Sequence, residues 1–246
     1  MADSVDISVV IPAYNESARL GASLQRVRSW LEARPETAEI IVVDDGSADD
    51  TADVARRELD GFALCQVLRN EPNAGKGASV RRGVLAASGA HVLFSDADLS
   101  VDIADWDKLR AAHEAGADIA IGSRAVRGSV IDVHQPWHRE MAGRCFNLFI
   151  RAFVMGGIHD TQCGFKSFAR DCIQPVFARQ TIERWGFDVE LLYIAQRLGF
   201  KVAEVPITWR NDAATKINAA ADGFKMLGEA LEARRLHRHL TPRDRD

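Results

Sequence analysis

Apolar and polar positions come in alternating blocks along the first half of the chain. "ISVVIP" (7–12) is a short, mainly apolar run, which predicts a strand covered on both faces. Residues 17–33 put Leu20, Leu24, Val27 and Leu31 on one stripe, which predicts a helix. "EIIVVDDGS" (39–47) predicts a second strand, and Ser47 with Asp50 three positions on resembles a capping box opening the next helix. "ALCQVLRN" predicts a third strand, "GKGASVRRGVLAAS" a helix, "HVLFSDAD" (91–98) a fourth strand and "DIAIGSR" (118–124) a fifth. Apolar strands separated by helices imply a parallel sheet with helices on both faces. The second half is less regular. Residues 137–155 and 185–199 predict helices, "DTQCGFKSF" a turn and short strand, "KVAEVPITWR" a strand, and 217–239 a last helix. No Pro/Gly/Ser linker and no internal repeat divides the chain, so the expectation is one α/β domain over 1–246.

Ligands of such sheets sit at the carboxyl ends of the strands, and the polar clusters fall there. Asp96 and Asp98 close the fourth strand two apart, hence on one face. Two carboxylates on one face repel unless a cation lies between them. An EF-hand fails, because Val101 stands at position six, Asp107 at position twelve, and a strand precedes the loop. The alternatives are a solvated acidic loop or a Mg2+ or Mn2+ site bridging a diphosphate. "NEPNAGKGASV" is not a Walker A loop; it is either a plain turn or a phosphate site with Lys76 and a helix N-terminus. Asp45, at the end of the second strand, could accept from a nucleobase. Asp188 in "ERWGFDVELLYIA" is either a first-turn acid favoured by the helix dipole or a general base. His134 and His138 do not make a zinc motif.

Composition narrows the partners. With 47% hydrophobic and 27% charged residues the chain is ordinary globular protein, and a net charge of −4 gives no basic field for nucleic acid. Four cysteines without a CxxC pair read as reduced packing residues in a cytoplasmic chain. The N-terminus carries acids rather than a basic signal-peptide region, and "CFNLFIRAFVMGGI" is too short and too interrupted to span a bilayer.

Taken together, "VVIPAYNE", "IIVVDDGSADDT", "NAGKG", "FSDADLS", "IGSRA", "DTQCGFKSF" and "ERWGFDVELLYIA" resemble family-2 glycosyltransferases of GT-A fold, and among them the dolichyl- or polyprenyl-phosphate β-glucosyltransferases. The resemblance implies a nucleotide-sugar donor, UDP-glucose, in the half before residue 125 and an acceptor half over 126–216. It implies that Pro12, Tyr14 and Glu16 line the nucleotide pocket, Asp45 and Asp96 contact base and ribose, Asp98 with Asp96 holds the divalent metal, and Lys76 and Arg124 meet phosphates. Asp188 stands where relatives with hydroxyl acceptors place the base, and Asp160 and Gln162 would face sugar or acceptor. Arg139, Arg210 and Lys216 are further acceptor-side candidates. Three readings stay open: transfer to a polyprenyl phosphate at the cytosolic membrane face, transfer by a soluble enzyme to a hydroxyl, and a non-catalytic nucleotide-sugar module. The acid, lysine and arginine set disfavours the third. The last helix offers Ile217, Phe224, Leu227 and Leu231 on a stripe followed by Arg234, Arg235 and Arg238. It is read as packed on the domain or as a peripheral membrane contact.

Overall fold

The computed structural model describes residues 5–134, 136–210 and 219–245. Strand Ile7–Ala13 (β1) lies beside Ala38–Asp44 (β2), with helices Ser17–Glu32 (α1) and Thr51–Leu59 (α2) between and after them. Cys65–Arg69 (β3), Lys76–Ala86 (α3), His91–Ser95 (β4), Trp106–Glu114 (α4) and Ile119–Ser123 (β5) follow. Then come Val130–Val133 (β6), Trp137–Phe153 (α5), Phe165–Ala169 (β7), Arg170–Phe177 (α6), Phe187–Arg197 (α7), Val202–Pro206 (β8), Thr208–Arg210 (β9) and Ala219–His237 (α8).

Seven strands form the central sheet in the order β3-β2-β1-β4-β7-β5-β8. All pair in parallel except β7, which runs antiparallel between β4 and β5. Side chains alternate across each strand, so the apolar runs feed two cores. Val10, Ile41, Val43, Val92 and Phe94 pack with residues of α3, α6 and α7, while Val9, Ile11, Ile40, Val42 and Leu93 pack with residues of α1, α2 and α4. The mostly parallel α/β expectation holds. The direction of β7 was not legible, because a five-residue strand looks the same either way.

Several local expectations are corrected. Helices α4 and α6 had not been foreseen: α4 buries only Trp106 and Leu109, and α6 is eight residues long with Pro175 inside it. The run 201–210 is two strands in two sheets. Pro206 ends β8, and β9 pairs with β6 instead; a proline has no N–H for a continuing ladder. Ser47 and Asp50 form no capping box. Asp50 makes no side-chain cap, and the Ser47 hydroxyl accepts from the Asn15 N–H. Cys163 and Cys172 are buried, as expected of packing residues, but Cys65 and Cys145 are exposed; all four are free. In α8, Met226, Ala230, Ala233 and His237 are buried, which is the packed reading of that helix. Ile217 lies outside the described residues.

Asp49 closes the starts of two helices. Its carboxylate accepts from the Ser17 hydroxyl and N–H and from the Thr51 hydroxyl and N–H. Burial alone would raise this carboxyl, but the Ser17 and Thr51 donors hold it down at about 2. A depressed carboxyl stabilises the fold above its ordinary value of 3.8 and loses that effect as pH falls toward about 2. Asp49→Ala should therefore cost about 1–2 kcal/mol at neutral pH, the range of a lost N-cap. Urea titrations of variant and wild type should draw together below about pH 3.8 and converge only near pH 2.

Candidate active site

The carboxyl ends of β1, β2 and β4 and the N-terminus of α3 meet at one cleft of about 370 Å3. Pro12, Tyr14, Glu16, Asp45, Lys76, Asp96 and Asp98 all line it; of the two residues expected at the phosphates, Lys76 is here and Arg124 is not. A second cavity of about 160 Å3 shares Lys76, Asp96 and Asp98 with the first and adds Arg124, Gln162 and Asp188. The Asp96–Asp98 pair thus sits between two spaces that a donor and an acceptor could fill.

Burial, and then the neighbouring Asp96 charge, pushes the Asp98 carboxyl above its ordinary value. The Lys76 ammonium approaches Asp96 Oδ1 at 2.6 Å. Burial would lower this lysine, but Asp96 together with Asp188 and Asp98 outweighs it and the lysine titrates above its ordinary value, so it stays charged. Asp96 is also seated by a glycine. A Cβ on Gly164 would come within 1.9 Å of Asp96 Oδ2, and the Asp96 N–H bonds Gly164 O at 3.0 Å. Gly164→Ala should displace the carboxylate with the sheet intact. The expected result is a roughly tenfold weaker UDP affinity by titration calorimetry, about 1.4 kcal/mol; unchanged affinity would remove Asp96 from nucleotide binding.

Asp45, which lines the cleft, also has a local task. Its two oxygens accept from Asn70 and Asn73 side chains and from the Ala74 and Gly75 N–H groups. It therefore holds the 70–75 loop in place beneath the cleft. Of the first-turn N–H groups of α3, that of Ala78 bonds Glu183 O, while the Ala74 and Gly75 N–H groups just before the helix are taken by Asp45.

On the acceptor side, Arg124 grips Asp160 in a fork, Nε to Oδ2 at 2.7 Å and Nη2 to Oδ1 at 2.9 Å. Burial would raise the Asp160 carboxyl, but Arg124 holds it below its ordinary value. The fork uses Nε and Nη2 of Arg124, whose side chain also lines the second cavity. Asp188 opens α7, and its Oδ1 lies 2.5 Å from Lys166 Nζ. Lys166 is wholly buried and also donates to Cys163 O. Sequence reasoning passed over Lys166. The available signal was a lysine between Phe165 and Phe168 in an apolar strand, which must find an acid. Also passed over were Arg19, Arg184 and Trp185 of the first cleft and Trp209 and Met226 of the second. Arg139 on α5 and Arg210 on β9 do not line either cavity; Arg210 pairs with Asp132 at 2.8 Å. Lys216 lies outside the described residues.

The wall formed by residues 181–186 is braced from behind. Buried Glu190 accepts from the Thr181 and Ile182 N–H groups and meets His237 of α8 at 2.7 Å. Glu229 of α8 accepts from the Gly186 N–H at 2.6 Å. Through these contacts α8 holds Trp185 against both cavities.

A mostly parallel sheet with an acid pair at the carboxyl end of β4, between two cavities, is a fold of GT-A type. Solved structures share it. Glucosyl-3-phosphoglycerate synthase from Mycobacterium tuberculosis in complex with UDP matches with a TM-score of 0.67 at 22% identity, covering 93% of this chain and 80% of its own. Mannosyl-3-phosphoglycerate synthase from Rubrobacter xylanophilus matches with a TM-score of 0.68 at 20% identity, covering 98% and 76%. The model of the family "Glycosyl transferase family 2" matches residues 8–177. The dolichyl-phosphate beta-glucosyltransferase of Drosophila melanogaster is 38% identical over 227 residues, 87% of this chain and 70% of its own. That of Homo sapiens is 36% identical over 228 residues, 86% and 69%. The chain belongs to glycosyl transferase family 2.

Proposed function

We propose that this enzyme moves glucose from UDP-glucose to the phosphate of a dolichyl or other polyprenyl carrier, with inversion at the anomeric carbon. The observation that carries the choice of acceptor is the pairing of both buried acids on that side. Asp160 is held by Arg124, and Asp188 by a buried ammonium. An alcohol acceptor needs a carboxylate ready to take its proton. A phosphate monoester, with a second pKa of about 6, is largely ionised at neutral pH and needs none. The relatives' names, dolichyl-phosphate beta-glucosyltransferase, support the same acceptor and sugar.

In this reading the cleft lined by Pro12, Tyr14, Glu16 and the Asp45-held loop takes the nucleotide. Asp98 and Asp96 offer the hard oxygen donors that a divalent cation requires, and a cation would offset both the burial and the neighbouring Asp96 charge that push Asp98 upward. Mg2+ or Mn2+ bound there would take up charge on the leaving diphosphate; a neighbour of the same fold was crystallised with Mn2+ and UDP. Lys76 puts a fixed positive charge beside the same space, which favours the departing anion over the intact donor. Arg124 and Gln162 orient the acceptor phosphate in the second cavity. A phosphate oxygen then bonds to the anomeric carbon as the bond to the UDP oxygen breaks, through an oxocarbenium-like state.

The test is radiolabelled UDP-glucose with a short polyprenyl phosphate dispersed in detergent. Label should pass to the organic phase, and UDP-mannose should not replace UDP-glucose. Label confined to an aqueous hydroxyl product would overturn the reading.

A further inference from the structure

Helix α5 is apolar on two opposite sides, and among the described residues the hydrophobic core takes up the side of Ile150. Ile150 is fully buried, and Phe146 and Phe149 beside it are partly buried against the core. At 100° per residue, Trp137, Met141, Cys145 and Leu148 recur at intervals of four, four and three and fall within about 80° of one another, on the side opposite Ile150. Of these, Trp137 is 77% exposed, Met141 51% and Leu148 58%. Phe153 at the end of the helix is 55% exposed. Single exposed apolar residues need no explanation, but a row of large ones along one helix face does.

The charge beside this row selects its partner. Arg144 and Arg151 border the stripe along one edge. The acid of the helix, Glu140, is occupied by His134 at 2.7 Å. An isologous dimer through this face would bring two arginine edges into one interface, whereas an anionic bilayer satisfies both the stripe and its edge. The helix also adjoins the acceptor cavity. Asn147 accepts from the Thr161 N–H and hydroxyl, and Thr161 lies between Asp160 and Gln162.

We propose that α5, rather than α8, lies in the surface of an anionic membrane, with Met141, Leu148 and Trp137 below the headgroups and Arg144 and Arg151 among them. This rests on the lipid-phosphate reading of the acceptor and adds where the enzyme meets the lipid. Such a seat sets the Asp160–Gln162 loop at the level of the carrier's phosphate while the nucleotide cleft stays open to water. Helix α8 is poorly placed for this task, since its Met226, Ala230 and Ala233 are buried and Arg235 is paired with Glu232.

The experiment is flotation of the full chain with vesicles of phosphatidylcholine containing phosphatidylglycerol, and with phosphatidylcholine alone. The wild type should bind the anionic vesicles, more weakly as salt rises. The double variant Met141→Glu/Leu148→Glu should bind at least about tenfold more weakly, because a charge placed among lipid contacts opposes insertion. It should keep the wild-type melting temperature and circular dichroism, since both side chains are exposed. Arg235→Glu/Arg238→Glu on α8 should bind like wild type. The inference falls if wild type stays unbound, if the α5 variant binds as well as wild type, if the α8 variant is the one that loses binding, or if light scattering finds a wild-type dimer that the α5 variant disperses. Glucosyl transfer to detergent-dispersed polyprenyl phosphate separates the two readings. Transfer without vesicle binding sinks the membrane surface alone, and vesicle binding without transfer in either format leaves the surface standing and sinks the acceptor reading.

Discussion

Asp98→Asn is expected to lose about 10²–10³-fold in glucosyl transfer while making the ligand-free protein more stable. The two effects have one cause. Asp98 is partly buried beside Asp96 and is pushed above its ordinary 3.8. A carboxyl raised in the folded state binds its proton more tightly there than in the unfolded chain, so it opposes folding increasingly as pH rises through that window. Asparagine removes the charge and keeps the oxygen that accepts the Ser100 N–H. The melting temperature should rise at pH 7 by a few degrees, about 2–4 °C for each kcal/mol in a chain of this size. The gain should vanish below pH 3.8, where the wild-type carboxyl is neutral in both states. Adding Mn2+ with UDP should stabilise wild type by mass action and leave the variant unmoved. Full activity of wild type in excess chelator would exclude a metal role for the pair.

The second large effect belongs to Lys166 and Asp188. Breaking a buried ion pair from one side strands the other charge and costs about 3–5 kcal/mol, a large part of the 5–15 kcal/mol that a domain of this kind possesses (order of magnitude). Lys166→Met and Asp188→Asn should each show that loss in urea unfolding. Lys166→Met/Asp188→Leu should recover much of it, because two apolar side chains leave no charge behind. The double variant then separates structure from chemistry. With a phosphate acceptor its transfer rate should stay within about tenfold of wild type, since the acceptor brings its own negative oxygen. A loss of ~10²–10⁴-fold in a folded double variant would make Asp188 the base and return the hydroxyl acceptor to first place.

The sequence made the nucleotide half readable because its signals are local. Apolar strands alternate with one amphipathic helix each, and the polar residues at the strand ends are consecutive in sequence, as in Tyr14 to Glu16 and Asp96 to Asp98. What was hidden depends on partners far away along the chain. Lys166 and Asp188 are 22 residues apart, Arg124 and Asp160 are 36 apart, and even where a lysine among apolar neighbours calls for an acid, nothing nearby says which. Asp45 shows the opposite difficulty. Its motif pointed to a ligand, but the structure surrounds both oxygens with donors from 70–75, and a motif does not say how many of its lone pairs the fold itself uses. Short elements such as α6 were missed because eight residues hold little more than two turns of periodicity.

The position of β7 bears on how the chain can be made and divided. During synthesis β1 to β5 emerge first, but β5 reaches the sheet only through β7, some forty residues later. Until then β4 is an edge with unpaired backbone groups, and Asp96 lacks the Gly164 carbonyl that anchors it. A fragment ending near residue 125 would therefore not be a free-standing nucleotide module. It would display a bare apolar edge open to pairing with other chains, and it should aggregate in an expression trial where a fragment running past α6 stays dispersed.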